Sequence, residues 1–193
     1  MFGIKLIPHT LSFWIRNGFE KLIITSYLGL FLNGIYSFAS YSSIIIITFN
    51  NVFFNIYGPK IYYKLSKNKN QEIKNDFKYI LIGSVIFGIL TYIFFITLTI
   101  LFFDKYQESL KYIHLFIIIA LLNTFYSYYA LYFFYFKKNN LLSKITFGFS
   151  LLHILLISLL TKNIGVYGIL YSSILVNLLI IYFMSFYKKT IFK

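Results

Sequence analysis

Arg16, Glu20 and Lys21 are the first residues of this chain able to do chemistry, and they sit inside an apolar segment running from Ile4 to Leu32. An ionised side chain turned toward lipid costs several kcal/mol, so such a segment needs a wet or protein-lined face. On a helix advancing about 100° per residue, Lys5, His9, Ser12, Arg16 and Glu20 fall within one stripe roughly 80° wide. Leu11, Phe13, Trp14, Leu22 and Ile24 lie mostly away from it. The pattern predicts that this helix forms one wall of a polar path.

Arg16 is the chain's single arginine and lies near the middle of the segment. Its guanidinium fork suits phosphate and diphosphate oxygens, so one reading is a cation that holds an anionic substrate group. The other is an ion pair with Glu20, four residues on, serving helix packing. Glu20 also reads as a proton or sodium site. His9 either titrates with a transported proton or rests hydrogen-bonded at the membrane interface. Lys21 points about 100° away from Glu20, toward another helix or outward to the interface. Asn51, with Asn50, Asn55, Asn123 and Ser127, either lines the same cavity or hydrogen-bonds between helices. The candidate substrate-binding set is therefore Arg16, Lys21, Ser12 and Asn51, and the candidate ion-coupling set is Glu20 and His9. His114 reads as interfacial. His153 has no acidic or histidine neighbour at helical spacing, so no metal site and no cofactor are expected.

Composition dictates what must position these residues. Of 193 residues, 59% are hydrophobic and 12% charged, a balance outside the range of soluble domains, which places the chain in a bilayer. There is no cysteine, which removes disulfides, thiolate metal sites and cysteine nucleophiles. The net charge of +13 comes from lysines clustered between apolar runs, where they meet lipid head groups rather than nucleic acid. The first residues lack a short apolar core followed by a small-residue cleavage site, so they read as a mature span.

Six spans are expected, at about 4–32, 35–57, 79–103, 112–136, 145–160 and 164–187, most of them near the roughly 20 residues that cross a hydrocarbon core. The fifth is short, with Lys144 and Lys162 snorkelling at its ends. Backbone polar groups in lipid must be satisfied internally, and the runs lack strand alternation, so the fold class is an all-α integral membrane protein forming a single bundle over 1–193. Lys60, Lys64, Lys67, Lys69, Lys74 and Lys78 follow the second span, Lys137, Lys138 and Lys144 the fourth, and Lys188, Lys189 and Lys193 the sixth. The opposite connections carry Lys105, Lys111 and Lys162. This bias predicts a multi-pass protein with both termini cytoplasmic and a lysine-rich cytoplasmic connection at 58–78, read as a solvated loop with an amphipathic or flexible segment as the alternative. Gly165, Gly168 and Ser172 open the last span with small residues that permit close helix packing.

Patterns of catalysis are absent from the sequence. Apart from Glu20 the acids, Glu72, Asp76, Asp104 and Glu108, fall in predicted loops, and there is no G-x-S-x-G, H-E-x-x-H or phosphate-binding glycine loop. A transporter, not an enzyme, is the expectation.

The stretch LIPHTLSFWIRNGFEKLIITSYLGLFLNGIYSFA resembles the seventh helix and following turn of polysaccharide-repeat flippases of the O-antigen and capsule type, within the multidrug/oligosaccharidyl-lipid/polysaccharide exporter superfamily. The acidic-basic pair is Glu20 and Lys21, where the family more often has aspartate and arginine; Gly29, Gly34 and Tyr36 match. Pro59 and the KIYYKL after it resemble the exit of the eighth helix, and NIGVYGILYSS from Asn163 resembles the start of the twelfth. His153 stands where a span asparagine is common. The resemblance covers the C-terminal half of a family of twelve to fourteen helices. It implies movement of an undecaprenyl-diphosphate-linked oligosaccharide across the bacterial inner membrane by alternating access, with Arg16 holding the diphosphate or an acidic sugar and Glu20 the coupling ion. One bundle has no facing wall. The expectation is thus a truncated gene product, then a fragment of a longer chain, or a half that assembles with a separate N-terminal half or a second copy. The rivals are a drug or cation antiporter of the same superfamily, a membrane polysaccharide polymerase, and an inactive membrane subunit.

Overall fold

The computed structural model describes residues 7–191, and every long element among them is a helix. Lys5 and Lys193, which carried part of the stripe and of the charge bias, lie outside the described residues. The elements are α1 (Ile7–Ser66), α2 (Asn70–Phe102), a short 3-10 helix (Asp104–Ser109), α3 (Leu110–Tyr135), α4 (Asn139–Ile164) and α5 (Val166–Ile191). Five helices are long and apolar enough to cross a membrane.

The first two predicted spans are both parts of α1, which is broken at Gly29. There φ is 87° and ψ is 171°, a backbone conformation that glycine adopts without steric penalty. On a straight helix Glu20 and Tyr36 would stand about 24 Å apart. Instead the Tyr36 hydroxyl donates to Glu20 Oε2 at 2.5 Å, and Asn33 Nδ2 donates to Thr25 Oγ1 at 2.8 Å. The chain therefore doubles back at Gly29.

The predicted loop at 58–78 is corrected. α1 continues through Pro59 to Ser66 and α2 begins at Asn70, leaving only 67–69 between them. Lysine and glutamate are good helix formers, so polarity did not end either helix. Asn68, at φ 56°, turns the chain, and the Lys69 amide closes on the Lys64 carbonyl at 3.0 Å. Lys64 Nζ then meets Asp76 at 2.6 Å and Lys69 Nζ meets Glu72 at 2.7 Å. That hydrogen bond raises the Lys69 ammonium above the ordinary lysine range. The helix of the fifth span is also longer than expected: α4 runs from Asn139 to Ile164, with Lys144 inside it and Lys162 in its last turn.

The chain divides into two compact units, one built from the residues up to Ser37 and from Tyr132 onward, the other from Phe38–Leu131. The division falls within α1 and within α3. In the second unit, α2 buries a narrow line of small residues that includes Ser84, Gly88 and Thr91. Ser84 donates to Asn50 Oδ1 at 2.6 Å, and Asn50 Nδ2 donates to Thr124 Oγ1 at 2.8 Å. The rest of α2 is turned outward, with Ile86, Ile89, Leu90 and Ile93 each more than half exposed. In the first unit, α4 buries Asn139, Ser143, Thr146, Ser150 and His153, while Leu155 and Leu159 are exposed. Small polar groups inside and large apolar ones outside is the distribution that hydrocarbon surroundings favour.

α4 and α5 pack through Gly168. A Cβ there would stand 2.6 Å from the Leu160 carbonyl carbon and 2.8 Å from the Thr161 amide nitrogen, closer than atoms can come, so only glycine permits this crossing. Gly165, at φ 61°, ends α4 and starts the reversal.

Candidate functional site

The polar face of α1 is met by α4 and α5 within the first unit. His9 Nδ1 lies 3.0 Å from Thr146 Oγ1 of α4. Arg16 Nη1 donates to Asn177 Oδ1 of α5 at 3.2 Å, and Ser173 Oγ of α5 donates to Glu20 Oε1 at 2.9 Å. Contacts to α4 advance along both helices together, and those to α5 advance oppositely. This arm of α1 therefore runs parallel to α4 and antiparallel to α5.

Glu20 is the centre of the arrangement. Its two oxygens accept from Tyr36 and Ser173, and His153 Nε2 lies 3.4 Å from Oε1. The His153 side chain is 1% exposed and that of Glu20 14%. His153 Nε2 is also 3.1 Å from Ser173 Oγ. With the imidazole proton on Nε2, a continuous chain runs from Nε2–H to the Ser173 hydroxyl and from that hydroxyl to the carboxylate. His153 Nδ1 is then left buried with no hydrogen-bond partner. A carboxyl, an imidazole and two hydroxyls in contact can bind, hold and pass a proton, and their oxygens can also serve a monovalent cation.

Among the described residues no ion pair joins Arg16 to Glu20: the imidazole of His153 is the group that stands 3.4 Å from the Glu20 carboxylate, and Arg16 is held by Asn177, with its guanidinium 5.0 Å from the Phe13 ring centroid. Asn177 Nδ2 donates to the Ser173 carbonyl at 2.9 Å, so Arg16 and Glu20 both grip one turn of α5. The ion-pair alternative for Arg16 is replaced by this ladder.

The remaining predicted residues separate from this cluster. Ser12 is fully buried and donates to the carbonyl of His9 at 2.6 Å, which commits its hydroxyl to its own helix. Lys21 is exposed on a groove of about 360 Å³ with Trp14, Gly18, Phe19, Leu22, Thr25 and Asn33, and makes no ion pair among the described residues. Asn51 is exposed and belongs to the second unit, where its neighbour Asn50 is the buried one. Trp14 and Leu22 are exposed as the stripe predicts, whereas Ile24 is fully buried.

Sequence reasoning missed His153, Ser173 and Asn177. His153 has no partner on its own helix because its partner is on α1. The signal was the line Asn139, Ser143, Thr146, Ser150 and His153 at helical spacing, which marks a polar face needing a counterpart. Among the described residues no three His, Asp or Glu side chains gather as a metal site would require. No protein-family model, curated protein or solved structure matches this chain.

Proposed function

We propose that the chain is a six-span membrane transporter, whole or half, of the polysaccharide flippase type, moving an undecaprenyl-diphosphate-linked oligosaccharide across the bacterial inner membrane. The observation that carries the transport reading is the Glu20 cluster. A carboxyl held by Tyr36 and Ser173 and faced by His153, inside helices of membrane-crossing length, costs free energy that packing alone does not require. Proton or monovalent cation exchange at Glu20 drives the change of state, and Arg16, one turn away on the same face, meets the diphosphate. The cargo follows from the resemblance of the first and last helices. The reversal at Gly29 supports counting α1 as two spans, and with α4 parallel to its first arm the phase agrees with lysine-rich cytoplasmic ends and cytoplasmic termini. The partners are the lipid-linked oligosaccharide, membrane lipid and a second half or second copy, without nucleic acid.

The test is deletion of the gene in its host, followed by complementation. Lipid-linked oligosaccharide should accumulate on the inner leaflet with loss of surface polysaccharide, restored by the wild type but not by Glu20→Gln or Arg16→Ala. Normal polysaccharide in the deletion strain, with retention of a cationic dye instead, would assign the chain to drug or cation antiport.

A further inference from the structure

A second feature lies on the outer face of α4 and α5, away from Glu20. A groove of about 400 Å³ is lined there by Lys144, Gly148, Phe149, Leu152, Phe183 and Tyr187. The rings of Phe149 and Phe183, 5.2 Å apart, join the two helices across it. At Gly148 an added Cβ would meet nothing within 4 Å, so the groove is open beside that residue.

The groove is polar at one end and apolar along its length. Lys144 and the Tyr187 hydroxyl mark the polar end, and exposed Lys189 follows two residues beyond Tyr187. Lys144 makes no ion pair or hydrogen bond among the described residues. Among the described residues no acidic side chain faces it, because all five are engaged elsewhere. Glu20 is in the cluster, Glu72 and Asp76 bind Lys69 and Lys64, Asp104 accepts from Gln107, and Glu108 pairs with Lys111. Lys144 therefore offers an unshared positive charge beside the groove.

We infer that this groove binds one anionic phospholipid, with an acyl chain along Gly148 and Leu152 and the headgroup phosphate at Lys144. An unpaired cation above an apolar channel matches a molecule that is charged at one end and hydrocarbon at the other, and lysines beside a bilayer attract acidic head groups. A soluble anion would satisfy Lys144 and leave the channel unused. The site is independent of what Glu20 does.

The test uses the purified full chain in micelles doped equally with phosphatidylglycerol and phosphatidylcholine of identical acyl chains, with native mass spectrometry reading the lipid retained. The wild type should keep phosphatidylglycerol in excess. Lys144→Gln should cut that excess roughly fivefold, Gly148→Leu should lower retention of both lipids by filling the channel, and added inorganic phosphate should displace neither. Lys78→Gln, an exposed lysine of the second unit, should retain lipid as the wild type does. Equal retention of the two lipids by the wild type would overturn the assignment. So would wild-type behaviour of Lys144→Gln, an equal loss in Lys78→Gln, or displacement by phosphate. Should Gly148→Leu lose its helical circular dichroism, Lys144→Gln against Lys78→Gln decides alone.

Discussion

The two units each bury a polar network, and they bury different chemistry. In the second unit Ser84, Asn50 and Thr124 form a neutral chain of hydrogen bonds between helices. In the first, Ser173 links an acid to an imidazole. Neutral interhelical hydrogen bonds in membranes contribute only about 0.6 kcal/mol on average, and they serve packing. A carboxyl facing an imidazole offers little more to packing and introduces a group that can carry charge, which is the feature on which the proposed transport reading rests. The same contrast holds for the glycines. A Cβ at Gly168 would meet the backbone of Leu160, whereas one at Gly88 would meet the side chains of Ile117 and Ile46 at 3.3 and 3.8 Å, which can move.

The contrast can be broken in order of effect. Gly168→Ala should cost about 1–3 kcal/mol, because the backbone it meets cannot retreat without separating α4 from α5; a lowered thermal unfolding midpoint in detergent reads this. Gly88→Ala should shift stability by less than about 1 kcal/mol, the better helix propensity of alanine offsetting the adjustment of Ile117. Equal losses in the two variants would erase the distinction. Glu20→Gln keeps the shape and an acceptor for one of the Tyr36 and Ser173 hydroxyls, while its amide nitrogen donates where the second carboxylate oxygen accepted, so it should fold while lowering transport about tenfold or more. Ser84→Ala should cost about 0.6 kcal/mol and leave transport unchanged. Asn51→Ala should alter neither, measured by the same unfolding and transport assays.

Much of this was legible in residue order. Apolar runs and lysine clusters located the helices, since each rests on local chemistry, whereas Gly165, read as a packing residue that opens the last span, is the residue at φ 61° that ends α4. The ends of helices were less legible. Lysines at 60, 64 and 74 resemble a loop by polarity, yet lysine is a good helix former, and Lys64 meets Asp76 and Glu72 across the short turn. The acid at 20 was identifiable as costly, but its partner was not. Helical spacing reveals neighbours on one helix, and His153 meets Glu20 only through the packing of α1 against α4 and α5. Ser12, placed on the stripe, is buried as a protein-lined face requires, and its hydroxyl returns to its own backbone.

The central claim is that the carboxyl of Glu20 exchanges a proton or a monovalent cation. Infrared difference spectroscopy of the membrane-embedded chain, stepped in pH or sodium concentration, reads that carboxyl directly. A carboxyl band that responds in the wild type, shifts in Ser173→Ala and is missing from Glu20→Gln is the predicted result. A spectrum in which Glu20→Gln and the wild type respond alike would contradict it.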